Sequence, residues 1–207
     1  MGDIVTVAAN DPGLALPALE PLVERVRRIV RKRTGSLAYP DAHTIAVARL
    51  AVSVASQAAT EPIALEAVAE GALLHDVGKL EVESRILDKP GPLTEDELAA
   101  VREHPIRGEG MLRGVIRDES LAVVRSHHER WDGAGYPDGL SGTTTPLAAR
   151  AVALADAYVA MREDRPYRRA LGESEAVAEI VRASGTQFDP GCVAAFCEVH
   201  ALNPGSR

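Results

Sequence analysis

Aromatic side chains are scarce in this sequence: phenylalanine, tyrosine and tryptophan together make up 3% of its 207 residues. A core built without them must come from Ala, Val, Leu and Ile, which dominate an ordinary hydrophobic content of 46%. Small aliphatic side chains suit helices packed close together. Cysteine is nearly absent as well. Cys192 and Cys197 lie five apart, on different faces of one expected helix, and read as small buried apolar residues rather than a disulfide or a metal clip. Positive charge is in deficit. The formal net charge of −7 argues against a broad nucleic-acid surface and so against DNA as a partner, but leaves room for a small anionic ligand held by local lysines and arginines. Long apolar runs are missing: the most apolar window, residues 45–59, is broken by Arg49, Ser53, Ser56 and Gln57 and is too short to cross a bilayer. The first residues lack the basic-then-apolar pattern of a signal peptide. No membrane insertion and a cytoplasmic location are therefore expected. Strand alternation, internal repeats and low-complexity tracts are also absent, so the expected fold is all-α.

What is present is a succession of helical signals. Leu19, Leu22, Val23, Val26 and Val30 recur at three- and four-residue steps and predict a helix over 17–33. Its other faces carry Arg25, Arg27, Arg28, Arg31, Lys32 and Arg33, either as a solvated face or as a surface for an acidic partner or a membrane. Asp41 is placed to cap a helix running to about Ala59, and Thr60 with Pro62 to open the next. That helix is strongly apolar up to His75 and Asp76 and is expected to stop at Gly78. Thr94 and Glu97 form a capping box for a helix whose last residue is predicted to be His104, because Pro105 follows. Further helices are expected over 106–112, 118–128, from Thr145–Pro146 through Arg162, over 173–183, and from Asp189–Pro190 to Val199.

The most informative stretch is 127–140, HHERWDGAGYPDGL. Neighbours on a helix point about 100° apart, so His127 and His128 cannot both serve the core. They make sense aimed at one charged object near a helix end. Other candidate ligands sit in comparable places: His43 in a first turn, His75 and Asp76 at an apolar helix end, His104 before its proline, and Asp156 alone among Ala, Val and Leu. Taken singly, each has a plainer reading, a capping or surface histidine or an aspartate hydrogen-bonded to backbone. His200 keeps that plainer reading. Together, seven imidazole and carboxylate ligands exceed the needs of one metal, and one bridging Asp suggests two metal ions. The donor types suit Fe, Mn or Zn better than Mg or Ca. Such a pair would polarise a phosphoryl oxygen and lower the pKa of a water between the ions. Lys79, four residues beyond His75, would add a point charge for an anionic ligand, or simply complement a helix C-terminus.

The ordered set HDVGK, KPGPLT, His104-Pro105, HHERWDGAGYPDGL, ADAYVAM, DRPYRRA and GTQFDPGCVAAF resembles the HD-GYP subfamily of HD-domain phosphohydrolases over roughly residues 41–199. The resemblance implies an HD-domain helical bundle over 37–200, preceded by a short segment with a basic helix over 1–36 and followed by a tail, 201–207. It implies hydrolysis of cyclic di-GMP to pGpG or GMP. His43, His75, Asp76 and Asp156 would surround one metal, and His104, His127 and His128 the second, with Asp76 between them. Lys79 would meet the scissile phosphate, and Arg165 and Arg168 would bind phosphate. The loop Gly135, Tyr136, Pro137 would carry no chemistry itself but shape the edge of the site and offer a surface to a regulatory or diguanylate-cyclase-type protein. Departures from the pattern matter. Members with a third metal have a Glu where this chain has Tyr39, which points to a binuclear site. An Arg common after the first histidine is Ala46 here, and a typical GIPD segment is replaced by EVES, Glu81 to Ser84. Two alternatives stay open: another cyclic dinucleotide as substrate, or a catalytically weak sensor or docking module.

Overall fold

The apolar spacing near the N-terminus does form a helix. In the computed structural model, which describes residues 19–164 and 169–202, α1 (Leu19–Thr34) buries Leu19, Leu22, Val23, Val26 and Val30 and turns its basic residues outward except Arg25, which is half-buried. The chain continues through α2 (Ala42–Ala58), α3 (Leu65–Leu74), a 3-10 helix (Val77–Glu81), the single turn α4 (Ser84–Leu87), α5 (Glu95–Arg102), α6 (His104–Leu112) and α7 (Asp118–Ser126). After a long loop containing a short 3-10 helix come α8 (Leu147–Met161), α9 (Glu173–Arg182) and α10 (Pro190–Leu202). Among the described residues no strand forms, only an isolated bridge between Ser184 and Phe188, so the fold is all-α as expected. No helix among them is long and apolar enough to cross a membrane.

α2 occupies the middle, packed against α3, α8 and α10, while α7 covers another side of α3. Its small residues Val47, Ala48, Ala51, Val52, Val54 and Ala55 are all buried, which is how a core poor in aromatics closes on itself. α3 is buried from Ala67 through Leu74. Leu73 and Leu74 each contribute about 1.5–3 kcal/mol by leaving water, and they bring the residues that follow them into the interior. The buried charged residue of this helix, Glu70, is held on one side by a hydrogen bond, Ser120 Oγ donating to Oε2 at 2.7 Å, and on the other by the Arg25 guanidinium, 3.2 Å from an Oε1 that makes no hydrogen bond.

Several expected helix boundaries hold. Asp41 caps α2, accepting the Thr44 N–H at 2.9 Å, and Thr94 and Glu97 make the capping box of α5. Three details differ. Thr60 does not cap α3, which begins at Leu65 after Ala64; Pro62 and the residues around it are used in the turn between α2 and α3. His104 opens α6 rather than ending α5, with Pro105 in the first turn, where a missing N–H is harmless. Gly78 is not a left-handed stop. It lies inside the 3-10 helix, where the absence of a side chain lets α6 approach: a Cβ there would sit 2.0 Å from the His104 carbonyl oxygen and 2.7 Å from the Gly108 nitrogen.

That contact makes a sharp test. Gly78→Ala is expected to lose about 3 kcal/mol of stability or more, since backbone, not a flexible side chain, stands in the way. Gly110→Ala, on the same helix α6 with nothing within 4 Å of its Cβ, is expected to be neutral or stabilising by up to about 1 kcal/mol. Urea denaturation of the two variants checks this; equal stabilities would mean that the close approach of α6 is not required.

Candidate metal centre

Helix ends deliver the imidazoles. His75 closes α3 and Asp76 follows it; His104 opens α6; His127 closes α7 and His128 follows it; His43 lies in the first turn of α2 and Asp156 on α8. All seven expected ligands come together, in two groups: Asp76, His104, His127 and His128 in one, His43, His75 and Asp156 in the other, the potential ligand atoms within each lying within 4.8 Å of one another. Asp76 faces both. Its Oδ1 is 3.2 Å from His104 Nε2 and 3.9 Å from His127 Nε2, and its Oδ2 is 3.5 Å from His75 Nε2. His75 Nε2 lies 3.9 Å from Asp156 Oδ1 on the other side.

The tautomers follow from the backbone. Nδ1 of His75 is 2.7 Å from the Ala72 carbonyl oxygen, Nδ1 of His104 is 2.7 Å from that of Val101, and Nδ1 of His127 is 2.9 Å from that of Val124. A carbonyl only accepts, so each Nδ1 carries the proton and, in the neutral ring, each Nε2 presents a lone pair. Nε2 of His104 and Nε2 of His127 then face each other at 3.2 Å, two acceptors with no donor between them. His75 Nε2 and Asp76 Oδ1 are buried and without a hydrogen-bond partner. Bound cations would resolve these contacts, and imidazole nitrogen with carboxylate oxygen is a donor set that divalent transition-metal ions accept. The residues present therefore fit metal ions.

Protonation states agree. Burial first, and then neighbouring imidazoles, push His127 well below the usual histidine range and His128 down to about 4, so both are neutral, the form that binds metal. Burial works against ionising Asp76, but His75, His104, Lys79 and His127 outweigh it and hold the carboxyl well below its usual range. Burial likewise opposes the ionised Asp156, yet its hydrogen bond with His43 and the charge of His75 lower its pKa. His43 is the exception among the histidines. Burial would lower it, but Asp156, 3.0 Å from Nε2, and Glu163, 2.9 Å from Nδ1, raise it to about 9.

Lys79 sits where its spacing suggested, with Nζ 2.6 Å from Asp76 Oδ2. Arg165 and Arg168, expected to bind phosphate, lie outside the described residues. At Tyr39 the phenol oxygen is buried without a hydrogen-bond partner, and burial, then the charge of Asp76, push its pKa well up, so the group is a neutral hydroxyl rather than a carboxylate. His200 is apart from the centre: its ring lies 4.4 Å from that of Phe196 and 5.0 Å from that of Tyr158, half-buried rather than on the surface. Glu163 and Glu129 are the residues that the sequence reading missed. Glu163 holds the Nδ1 side of His43; it lies just past the end of α8, in no helical register with Asp156, so no local spacing marks it. Glu129 is buried and accepts the Asp138 and Leu140 N–H groups at 2.7 and 3.0 Å, pinning the loop after α7. Tyr136 of that loop stacks on His128, ring centroids 4.8 Å apart and planes 21° from parallel.

A family model described as HD domain matches residues 17–192. The chain is 37% identical over 189 residues to the cyclic di-GMP phosphodiesterase response regulator RpfG of Xanthomonas campestris pv. campestris, covering 87% of this chain and 50% of that protein. It is 38% identical over 179 residues to a cyclic di-GMP phosphodiesterase of Pseudomonas aeruginosa, covering 85% of this chain and 42% of that one. The chain thus spans half or less of the length of these curated relatives. Among solved structures, a cyclic GMP-AMP-specific phosphodiesterase of V. cholerae superposes with a TM-score of 0.64 at 19% identity, covering 89% of this chain and 49% of that one, a likeness of fold.

The His43–Glu163 contact can be tested through metal binding. A carboxylate on the far nitrogen of a ligating imidazole fixes its orientation and raises its basicity, and losing it weakens metal binding by about 10–100-fold. Glu163→Ala is expected to show that loss in a metal titration, and Glu163→Gln, whose amide oxygen still accepts the Nδ1–H, a smaller one. Unchanged affinity in both variants would show that Glu163 has no part in holding His43.

Proposed function

Because the chain belongs to the HD domain family, we propose that it is a metal-dependent phosphodiesterase that hydrolyses cyclic di-GMP to pGpG, GMP or both. The observation that carries this reading is the place of Asp76 between two ligand groups, one oxygen toward His104 and His127 and the other toward His75. Two metal ions, one per group, with iron or manganese favoured and zinc the alternative, would supply Lewis-acid polarisation of a phosphate oxygen and an acidified water for attack. The two-group division and the Tyr39 hydroxyl, where a further carboxylate would otherwise stand, support two ions rather than three.

The remaining work falls to side chains. Asp76, ionised at neutral pH, would join the two groups and set their separation. The three Nδ1-to-carbonyl hydrogen bonds hold His75, His104 and His127 in the tautomer that ligation needs. Lys79 is the cation for the scissile phosphate: its ammonium already lies against Asp76, and an arriving non-bridging oxygen would take over part of that ion pair as charge develops on the phosphorus oxygens. Arg165 and Arg168 are proposed as phosphate-binding residues on their position in the motif alone. Docking of a regulatory protein on the loop Gly135, Tyr136, Pro137 gains no support from the geometry, since the Tyr136 ring is engaged with His128.

Anaerobic purification, metal analysis and turnover of cyclic di-GMP beside cyclic GMP-AMP and cyclic di-AMP, with identified products, tests the proposal. Asp76→Ala and His127→Ala, shown folded by circular dichroism, are expected to lose turnover by on the order of 10³-fold or more together with bound metal. Either variant turning over at the wild-type rate rules out the ligand assignment. Tight binding without turnover in metal-loaded wild-type protein would instead identify a sensor module.

A further inference from the structure

A cyclic dinucleotide carries two phosphates, and the metal centre accounts for one; Arg165 and Arg168, proposed above for phosphate, lie outside the described residues, which leaves the cations among the residues described. The second phosphate needs a cation at the mouth of the site whose charge is not already spent. Around the metal centre most basic groups are committed. Lys79 is held by Asp76 at 2.6 Å, Arg130 by Asp132 at 2.6 Å and Arg107 by Glu103 at 2.6 Å; Arg125 is shared by Asp138 and Glu109; Arg162 donates to the Leu171 carbonyl at 2.6 Å. Arg102 differs. It is exposed at the end of α5, two residues before His104, and has no carboxylate partner among the described residues. Its guanidinium carbon lies 5.5 Å from the centroid of the Tyr136 ring, and that ring is the one stacked on His128. Arg102 is therefore one aromatic ring away from a metal ligand.

We infer that Arg102 receives the second, non-scissile phosphate of the dinucleotide, an assignment that rests on the phosphodiesterase reading above. The chemistry fits. A guanidinium set against an aromatic face is restrained in orientation without losing its five N–H donors, and its planar fork pairs with two phosphate oxygens at once. Tyr136 meets the guanidinium with its ring face, not with a charged group, so the positive charge stays available. Being exposed, the guanidinium surrenders little hydration before the anion arrives.

Kinetics on two substrates test this. Arg102→Ala is expected to raise KM for cyclic di-GMP about 10–100-fold with kcat changed by less than about threefold, the loss of one charge-assisted contact made equally in ground and transition states. Hydrolysis of bis(p-nitrophenyl) phosphate, which has a single phosphodiester, and the metal content should be unaffected. Arg102→Lys should recover part of the KM effect, as the charge remains without the fork. Equal losses on both substrates would mean that the substitution disturbs Tyr136 and His128, and would overturn the assignment, as would no loss on either. A loss seen with cyclic di-GMP but not with cyclic di-AMP would make Arg102 a reader of the guanine base and overturn the phosphate role. Wild-type protein that cleaves bis(p-nitrophenyl) phosphate but no cyclic dinucleotide would remove the substrate reading itself, and Arg102's role with it.

Discussion

A carboxylate sunk into an apolar bundle is the constraint from which the rest of this structure follows. Asp76 follows His75 at the end of α3, a helix buried from Ala67 to Leu74, and an ionised oxygen in such a place is stable only with donors or cations around it. Its neighbours are imidazole nitrogens from three different helix ends and the Lys79 ammonium. To bring them there, α6 must pass against the backbone at Gly78, and α7 must lie along α3 so that its last turn opens beside the same carboxylate. The close packing of small residues in the core is what permits helices to meet at their ends so tightly.

Placing ligands at helix ends also settles a second problem. The last carbonyls of a helix have no partner within it. Ala72, Val101 and Val124 lie in the final turns of α3, α5 and α7, and each accepts the Nδ1–H of a histidine three residues on. One hydrogen bond therefore satisfies an orphan carbonyl, fixes the tautomer and aims Nε2 at the centre. Three helix C-termini, each equivalent to roughly half a negative charge, also converge near the site. Their field favours a cation, independently of the carboxylates. His43 enters from a helix N-terminus instead, where no such carbonyl is available, and the carboxylate of Glu163 takes over the orienting role.

How much of this could be read from the sequence depends on whether the determinant is local. Helix identities and the capping at Asp41 and Thr94 are local; the histidines and aspartates each have a plainer local reading and stand out as candidate ligands only as an ordered set. The start of α3 and the membership of His104 in α6 turn on how a proline is accommodated, which depends on what the preceding residues do in space. Gly78 illustrates the limit most clearly. A glycine after an apolar helix suggests a stop, yet its actual reason is the backbone of α6, which is distant in sequence and invisible to any local rule. The same holds for Glu163 and Arg102, whose roles come from the groups that folding places beside them.

The loop after α7 is where these threads join. Gly135 allows its backbone to lie on that of Glu129 and Arg130, where a Cβ would come within 2.4 Å of the Arg130 nitrogen. Glu129 reaches across to hold Asp138 and Leu140, and the Tyr136 N–H donates to the His128 carbonyl at 3.2 Å. The loop so held sets the Tyr136 ring nearly flat on His128. That ring supplies a contact that His75, His104 and His127 obtain from a carbonyl: among the described residues no carbonyl accepts from His128 Nδ1, and the stacked Tyr136 ring braces the imidazole instead. The glycines and the carboxylate of this stretch thus serve the metal centre through one aromatic side chain. In a protein with so few of them, its position against a ligand rather than in the core marks the loop as a wall of the site.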